Sequence, residues 1–182
     1  MSEKYKFLNP AGVYFTTSTI VNWIDLFTRK DYCEIVLDSL RYCQRKKGLI
    51  IHAWVMMPSH LHMIVSSRGI IQLSDIFRDF KKFTAEEMVK CMKEINESRQ
   101  EWILKQFIEA GETLRRITHY KVWQDGNHPV ELSTNQVMDE RLHNLHYNPV
   151  EAGLVWEPED YCYSSAVDYA GGQGYLKVEL IQ

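Results

Sequence analysis

Two apolar segments joined by a tight turn constrain the fold of this chain more than any other feature. Residues 49–57 read LIIHAWVMM and residues 61–65 read LHMIV, and Pro58-Ser59 separates them. Apolar runs of this length, bounded by turn residues, are typical of buried strands. The sequence therefore predicts a buried antiparallel hairpin in this region.

Strand-like and helix-like segments alternate on both sides of the hairpin. Residues 12–22 are rich in β-branched and aromatic side chains, which favours a strand. Further elements are predicted as helices over residues 32–47 (ending at Gly48), 74–95 and 98–110 (closed by Gly111), a strand over residues 119–124, and a helix from the capping box at Ser133 to about residue 147. Asn148-Pro149 is predicted to begin another turn. Strands interleaved with helices predict an α+β, ferredoxin-like architecture with an antiparallel sheet.

Length and charge limit the range of functions. A chain of 182 residues suits one domain, residues 1–182, whose last residues, 160–182, are expected to form a C-terminal arm. The net charge of −3 excludes a uniformly basic coat. Any DNA contact must then come from a local basic face.

The sequence has no pattern typical of a membrane-spanning or secreted protein. No apolar run reaches the roughly 18 residues that span a bilayer, and the first residues, MSEKYKFLNP, lack the apolar core of a signal peptide. The four cysteines, Cys33, Cys43, Cys91 and Cys162, lie far apart with no CxxC pair, as in reduced proteins. We expect a cytoplasmic protein with no membrane partner.

Two histidines open the second strand of the hairpin. His60 and His62 are two residues apart, so on a strand they point to the same face with Cα atoms roughly 6.5–7 Å apart. Two imidazoles placed in this way can converge on one metal ion. The alternative is a hydrogen-bonded polar pair at a strand end. His52, on the preceding strand, is interpreted as structural.

A third metal ligand can come from the helix that precedes Pro149. Asn144 and Asn148 lie one turn apart on a stripe that includes Arg141, so they face the same way. If this stripe faces the histidines, Asn148 can offer its carbonyl oxygen. The same oxygen can instead cap a helix that begins at Pro149. Both interpretations stand at this point.

A basic cluster and a polar loop are candidate DNA contacts. Arg78, Lys81 and Lys82 recur at i, i+3 and i+4 on one helix. They either neutralise DNA phosphates or form an ordinary solvated helix face. Phe80 and Phe83 are expected to anchor this helix to the sheet. Three residues in or beside the DGNHP loop can stack on or hydrogen-bond an unpaired base, or can pack internally: Trp123, Asn127 and His128.

Four ordered motifs carry a family resemblance. HAWVMMPSHLHMIV, LSDIFRDFKKFT, LHNLHYNPVEAGLV and YCYSSAVDYAG, between about Tyr14 and Leu176, resemble the REP-associated tyrosine transposases, members of the HUH superfamily of single-strand nucleases. The resemblance implies a ferredoxin-like sheet, a divalent metal (magnesium or manganese) on the two histidines, and binding of hairpin-forming DNA beside single-stranded flanks. It also suggests a homodimer.

The expected nucleophile is missing from this sequence. In that family a tyrosine four residues before the asparagine of the NPV motif attacks the scissile phosphate, and here that position is Asn144. An amide has no acidic proton to lose and cannot replace it. Tyr147 is a weak substitute, because it projects about 100° away from Asn148 around the helix. Tyr163 and Tyr169 can substitute only if the arm folds back over the site.

Three functions follow from these observations. We favour a non-cleaving protein that binds hairpin or single-stranded DNA and derives from a metal-dependent tyrosine transposase. The first alternative is an active transposase that uses another tyrosine. The second is a metal-dependent phosphodiesterase that activates water, for which His143 and His146 are weak candidate bases.

Overall fold

The computed structural model describes residues 6–112 and 120–181. Along these residues the strands and helices follow the order βαββααβαα. Their bounds are β1 Tyr14–Thr19, α1 Lys30–Tyr42, β2 Leu49–Met57, β3 His60–Ser67, α2 Leu73–Glu94, α3 Gln100–Glu112, β4 Val130–Glu131, α4 Asn135–Glu151 and α5 Ala166–Tyr169. The four strands pair antiparallel in the order β2-β3-β1-β4. This is the ferredoxin-like arrangement, so the predicted fold class is confirmed.

The predicted hairpin is present and lies between the end of α1 and the start of α2. β2 and β3 pair from Met57 with His60 to Leu49 with Ser67. The register shifts between Ile51 and Ala53, leaving His52 as the extra residue of a bulge. His52 is hydrogen-bonded with the Glu179 carbonyl and the Ser66 hydroxyl (both 2.9 Å), which agrees with its structural interpretation.

The sheet separates two hydrophobic cores. The larger core lies against α1, α2 and α3 and contains the buried Trp54, Leu61 and Met63 of the hairpin. The smaller core lies on the opposite face, where Val55 and Ile64 pack with residues of α4. Because successive side chains of a strand alternate between faces, His60 and His62 share the face that α4 covers.

Helix α4 corrects two predictions. It continues through Pro149 to Glu151, so Asn148 does not begin a new helix and its capping role is wrong. Its N-cap is Thr134, whose side chain accepts a hydrogen bond from the Val137 amide at 3.3 Å, in place of Ser133. Pro149 cannot donate the backbone hydrogen bond to the Leu145 carbonyl that a helix would otherwise contain, and the helix ends two residues after it.

Three further element predictions differ from the structure. The predicted strand over residues 119–124 begins at His119, which lies outside the described residues, and of the remainder Trp123 forms only an isolated bridge with Ile20. The fourth strand is Val130–Glu131 instead. Gly111 lies inside α3 and does not close it. The first strand ends at Thr19 and is followed by a 3-10 turn over Val21–Trp23.

The segment after α4 runs along β2, the edge strand of the sheet. Backbone hydrogen bonds of 2.9 Å join it to that strand: Met56 N to Tyr163 O, Ser165 N to Trp54 O, and Glu179 N to Ile51 O. Arg41 and Gln44 of the α1 side donate to the carbonyls of Tyr175 and Lys177. Among the described residues, no helix is long and apolar enough to cross a membrane.

Candidate metal and nucleic-acid site

The structure brings His60 and His62 together at the start of β3. Their ring centroids are 4.7 Å apart with the planes at 73°. Each Nδ1 is held by a hydroxyl, since Ser59 Oγ lies 3.2 Å from His60 Nδ1 and Thr17 Oγ1 lies 2.9 Å from His62 Nδ1. Holding one ring nitrogen fixes the ring and leaves Nε2 to meet a ligand, as for histidines that bind metals.

Burial keeps both imidazoles neutral. It lowers the pKa of His60, and it lowers the pKa of His62 to about 3, with smaller contributions from the neighbouring His60 and Arg141. A neutral imidazole carries the lone pair that a metal ion requires. Two neutral, adjacent imidazoles with oriented rings are donors of the type that a divalent cation takes.

One residue of the α4 stripe that carries Asn144 and Asn148 is linked to the histidines through Phe15. Arg141 begins this stripe, and its guanidinium lies 5.2 Å from the centre of the Phe15 ring. Phe15 in turn stacks on His62 at 5.3 Å. Asn148 donates from Nδ2 to the Asn144 carbonyl at 3.1 Å, which leaves Oδ1 as an acceptor. Among the described residues no three His, Cys, Asp or Glu side chains lie together as a metal site, so a third protein ligand beside the histidines would have to be of another type.

The two residues considered for the nucleophile lie in different places. Asn144 is exposed on the stripe just described. Tyr147 packs against His143 with ring centroids 4.2 Å apart, and both residues line a cavity of about 540 Å³ between α4 and residues 157–170. The phenol of Tyr147 thus belongs to this cavity, which His60 and His62 do not line.

The other candidate tyrosines and bases are committed to packing. Burial raises the pKa of Tyr163, which stacks on Tyr175 at 5.7 Å. Tyr169 donates its hydroxyl proton to the His52 carbonyl at 3.0 Å. His146 is buried, with Nε2 2.9 Å from Ser165 Oγ, and burial lowers its pKa to about 4. These groups tie the arm to the sheet and to α4.

Most of the predicted DNA contacts line one groove. It has a volume of about 840 Å³ and runs between α2 and residues 120–127. Arg78, Lys81, Lys82, Trp123 and Asn127 are among its lining residues. His128 is exposed on the neighbouring loop, with a positive φ of 43°. The structure thus unites two sequence regions that were predicted separately.

Within this groove the basic residues differ in what they can bind. Arg78 pairs with Asp75 and Asp79. Lys81 donates to the carbonyls of Gln124 and Gly126, and burial lowers its pKa to about 8. Lys82 is exposed and forms no ion pair among the described residues. Lys82 is therefore better placed than the other two to meet a phosphate.

Two aromatic predictions are corrected. Trp123 is buried between Phe27 and Phe80 and donates from its indole nitrogen to Thr84 Oγ1 at 3.0 Å, so it packs and does not present a stacking face. Phe80 anchors α2 as predicted, whereas Phe83 is exposed.

Sequence reasoning missed several residues of this region. Lys90, Lys93 and Lys121 also line the groove. Lys90 and Lys93 lie on the same face of α2 as Lys82. Their spacing in the sequence could have revealed both of them. Trp23 contacts His60 with ring centroids 5.4 Å apart, and no local pattern around it signals this position.

Comparison with known proteins identifies the family of this chain. The family model for IS200-like transposases matches residues 22–139, more than half of the chain. The chain belongs to the IS200-like transposase family. The matched residues of this transposase-family protein include both histidines and the groove, and they end at Asp139, before Asn144.

A solved structure is also similar to this IS200-like protein. It is described as a REP-associated tyrosine transposase bound to a REP hairpin, and it shares 19% sequence identity with a TM-score of 0.66. The match covers all of this chain and 94% of the other. The predicted resemblance is confirmed, and the likeness in structure establishes the fold. No curated protein matches the chain.

Proposed function

We propose that this protein binds hairpin-forming or single-stranded DNA at a divalent-metal site and does not cleave it. The observation that carries the proposal is the pairing of an intact histidine site with Asn144 at the position where the family resemblance places a tyrosine. The family membership and the hairpin bound to the structurally similar transposase support a DNA partner.

The residues have separate roles in this proposal. His60 and His62 hold the cation through Nε2, Thr17 and Ser59 orient the two rings, and Asn148 supplies a third oxygen. The cation, magnesium or manganese, supplies neutralisation of charge on a bound phosphate. The basic groove along α2 holds the adjoining DNA backbone, where each phosphate contact releases counterions.

The missing step follows from the chemistry of residue 144. Strand cleavage of the tyrosine type requires an oxygen that can lose its proton and attack phosphorus. The amide of Asn144 has no such proton, so the DNA is bound and left intact. The two alternatives have weaker support, because Tyr147 stacks on His143 outside the stripe and His146 is bonded with Ser165.

The proposal is tested by the wild type and by Asn144→Tyr, with Asn144→Phe as the matched variant that lacks the hydroxyl. Each is incubated with a labelled DNA hairpin carrying a single-stranded flank, in manganese, and run on native and denaturing gels. The wild type and Asn144→Phe should give only a shifted band. Asn144→Tyr should add a covalent adduct, since a phenol at this position lies on the face of Asn148.

Other wild-type products would contradict the proposal. A covalent adduct would mean that another tyrosine is the nucleophile, and a free nick would mean that water is. The homodimer, the cytoplasmic location and the division into one domain with a C-terminal arm stay predictions.

A further inference from the structure

Trp23 is an exposed aromatic residue in a segment whose other apolar side chains are buried. Its neighbours Val21 and Ile24 are only 4% and 3% exposed, whereas Trp23 is 60% exposed. Tryptophan is on average highly buried, because its large apolar surface favours the core. The hydrophobic core therefore does not account for the placement of this ring.

The backbone holds this ring in a costly conformation. Asn22 and Trp23 have consecutive positive φ angles of 54° and 55°, a region that residues with side chains avoid. Three hydrogen bonds fix the segment: Ile20 N to Ser59 O (2.9 Å), Val21 N to Val122 O (2.8 Å) and Asn22 Nδ2 to Gln106 Oε1 (2.7 Å). Backbone strain that the surroundings enforce is concentrated at functional sites.

The strained segment lies directly beside the histidine pair. Thr19, the last residue of β1, pairs with His60, so the chain after β1 continues past the start of β3. The Trp23 ring meets the His60 ring edge-on, at 74° and 5.4 Å between centroids. Trp23 thus stays 60% exposed beside the ring of His60, one of the two proposed metal ligands.

The basic groove is connected to the same segment. Gln124, which lines the groove, donates from its backbone to Thr19 O at 2.8 Å and from its side chain to Ile20 O at 3.3 Å. Six basic side chains line that groove, Arg78, Lys81, Lys82, Lys90, Lys93 and Lys121, against the two acidic side chains Glu86 and Asp125. Nucleic acid, rather than an apolar protein surface, fits an exposed aromatic ring that contacts a proposed metal ligand and whose segment is hydrogen-bonded to a residue of a basic groove.

We propose that Trp23 is the stacking platform for one unpaired base, that of a nucleotide whose phosphate lies at His60 and His62. A nucleotide joins its phosphate to its base through a single sugar, so a base beside this phosphate reaches the neighbouring ring. The inference rests on the proposed binding of single-stranded DNA at the histidine pair. Trp23 positions the strand and takes no part in bond chemistry.

The test pairs a protein change with a DNA change. The first probe is a DNA hairpin with a single-stranded flank of thymidines. The other probes are the same hairpin with one abasic nucleotide at successive positions of the flank. The affinity of each probe is measured in the presence of manganese. For the wild type, one abasic position should weaken binding about 5- to 150-fold, the range for one stacked base. Trp23→Leu should lose a similar factor on intact DNA and show no further loss at that position, because the two changes remove the same contact.

Two controls separate stacking from damage to the fold. Trp102→Leu alters a tryptophan of α3 that is 50% exposed and should leave both measurements unchanged. Trp23→Phe keeps an aromatic face and should retain most of the affinity, while the fluorescence quenching that intact DNA causes in the wild type should be lost. Manganese binding of Trp23→Leu, measured by calorimetry, should equal that of the wild type.

The outcomes distinguish this inference from the proposed function. If Trp23→Leu binds intact DNA as the wild type does, or keeps the abasic penalty, the stacking role is wrong and the DNA-binding function stands. If Trp23→Leu changes only the sedimentation of the protein, Trp23 belongs to a protein interface and the inference is also wrong. If the wild type binds none of the probes, both the function and the inference fail.

Discussion

At the scale of single residues, spacing revealed the histidines but not the tryptophan beside them. His60 and His62 could be predicted because the alternation of a strand places residues two apart on one face. Trp23 could not be predicted, because its exposure depends on two positive φ angles and on hydrogen bonds to residues far along the chain. The packing of Trp123 was equally hidden, since its partner Thr84 lies 39 residues away.

The histidine pair yields a prediction about metal affinity. Replacing His60 and His62 together with alanine should abolish manganese binding in calorimetry. Thr17→Val, which removes the hydroxyl beside His62 Nδ1, should weaken binding about 10- to 100-fold, the usual effect of losing a group that orients a ligand. His143→Gln, on the exposed side of α4, serves as the control. An unchanged isotherm for the double variant would make the pair structural.

At the scale of elements, periodicity located the helices and long-range packing set their ends. The sequence predicts that helix α4 stops before Pro149, yet it includes the proline, which is buried, and ends two residues later. The Asn148, Pro149 and Val150 carbonyls accept from Ala152, Leu154 and Gly153, so the last turn is satisfied. β4 escaped prediction because two residues are too few to show an alternating pattern.

Helix α2 yields a prediction about the salt dependence of DNA binding. Lys82→Ala, Lys90→Ala and Lys93→Ala combined should weaken binding to all DNA sequences alike and reduce the slope of log affinity against log salt by about three units, one for each phosphate contact. Arg78→Ala should have a smaller effect, because Asp75 and Asp79 already neutralise the guanidinium. A triple variant with the slope of the wild type would remove α2 from the DNA interface.

At the scale of the whole molecule, a buried histidine joins three parts of the fold. His146 of α4 is hydrogen-bonded with Ser165 of the C-terminal arm, and the Ser165 hydroxyl bonds in turn with Trp54 of β2. Burial lowers the pKa of His146 to about 4, with a smaller effect of His143. The folded protein therefore favours the neutral form of the His146 imidazole over the protonated form.

This linkage predicts a loss of stability in acid. Above a pH of about 6.5, His146 is neutral in the folded and in the unfolded protein. Below that pH the unfolded chain binds a proton on His146, whereas the folded protein does not bind it until about pH 4. The free energy of unfolding should then fall as pH falls from 6.5 to 4.5, by up to about 1.4 kcal/mol per pH unit from this group. In urea titrations at several pH values, His146→Gln should lower this slope and His143→Gln should not. Equal slopes for the wild type and His146→Gln would contradict the prediction.

The arm along β2 also has a consequence for how copies of the protein meet in concentrated solution. An unpaired edge strand offers its amides and carbonyls to any extended chain and is a common starting point for aggregation. Here Met56, Trp54 and Ile51 of that edge are already hydrogen-bonded with the arm. The opposite edge is β4, a strand of only two residues. Residues of the arm thus occupy backbone groups of β2 that could otherwise pair with a strand of a neighbouring molecule.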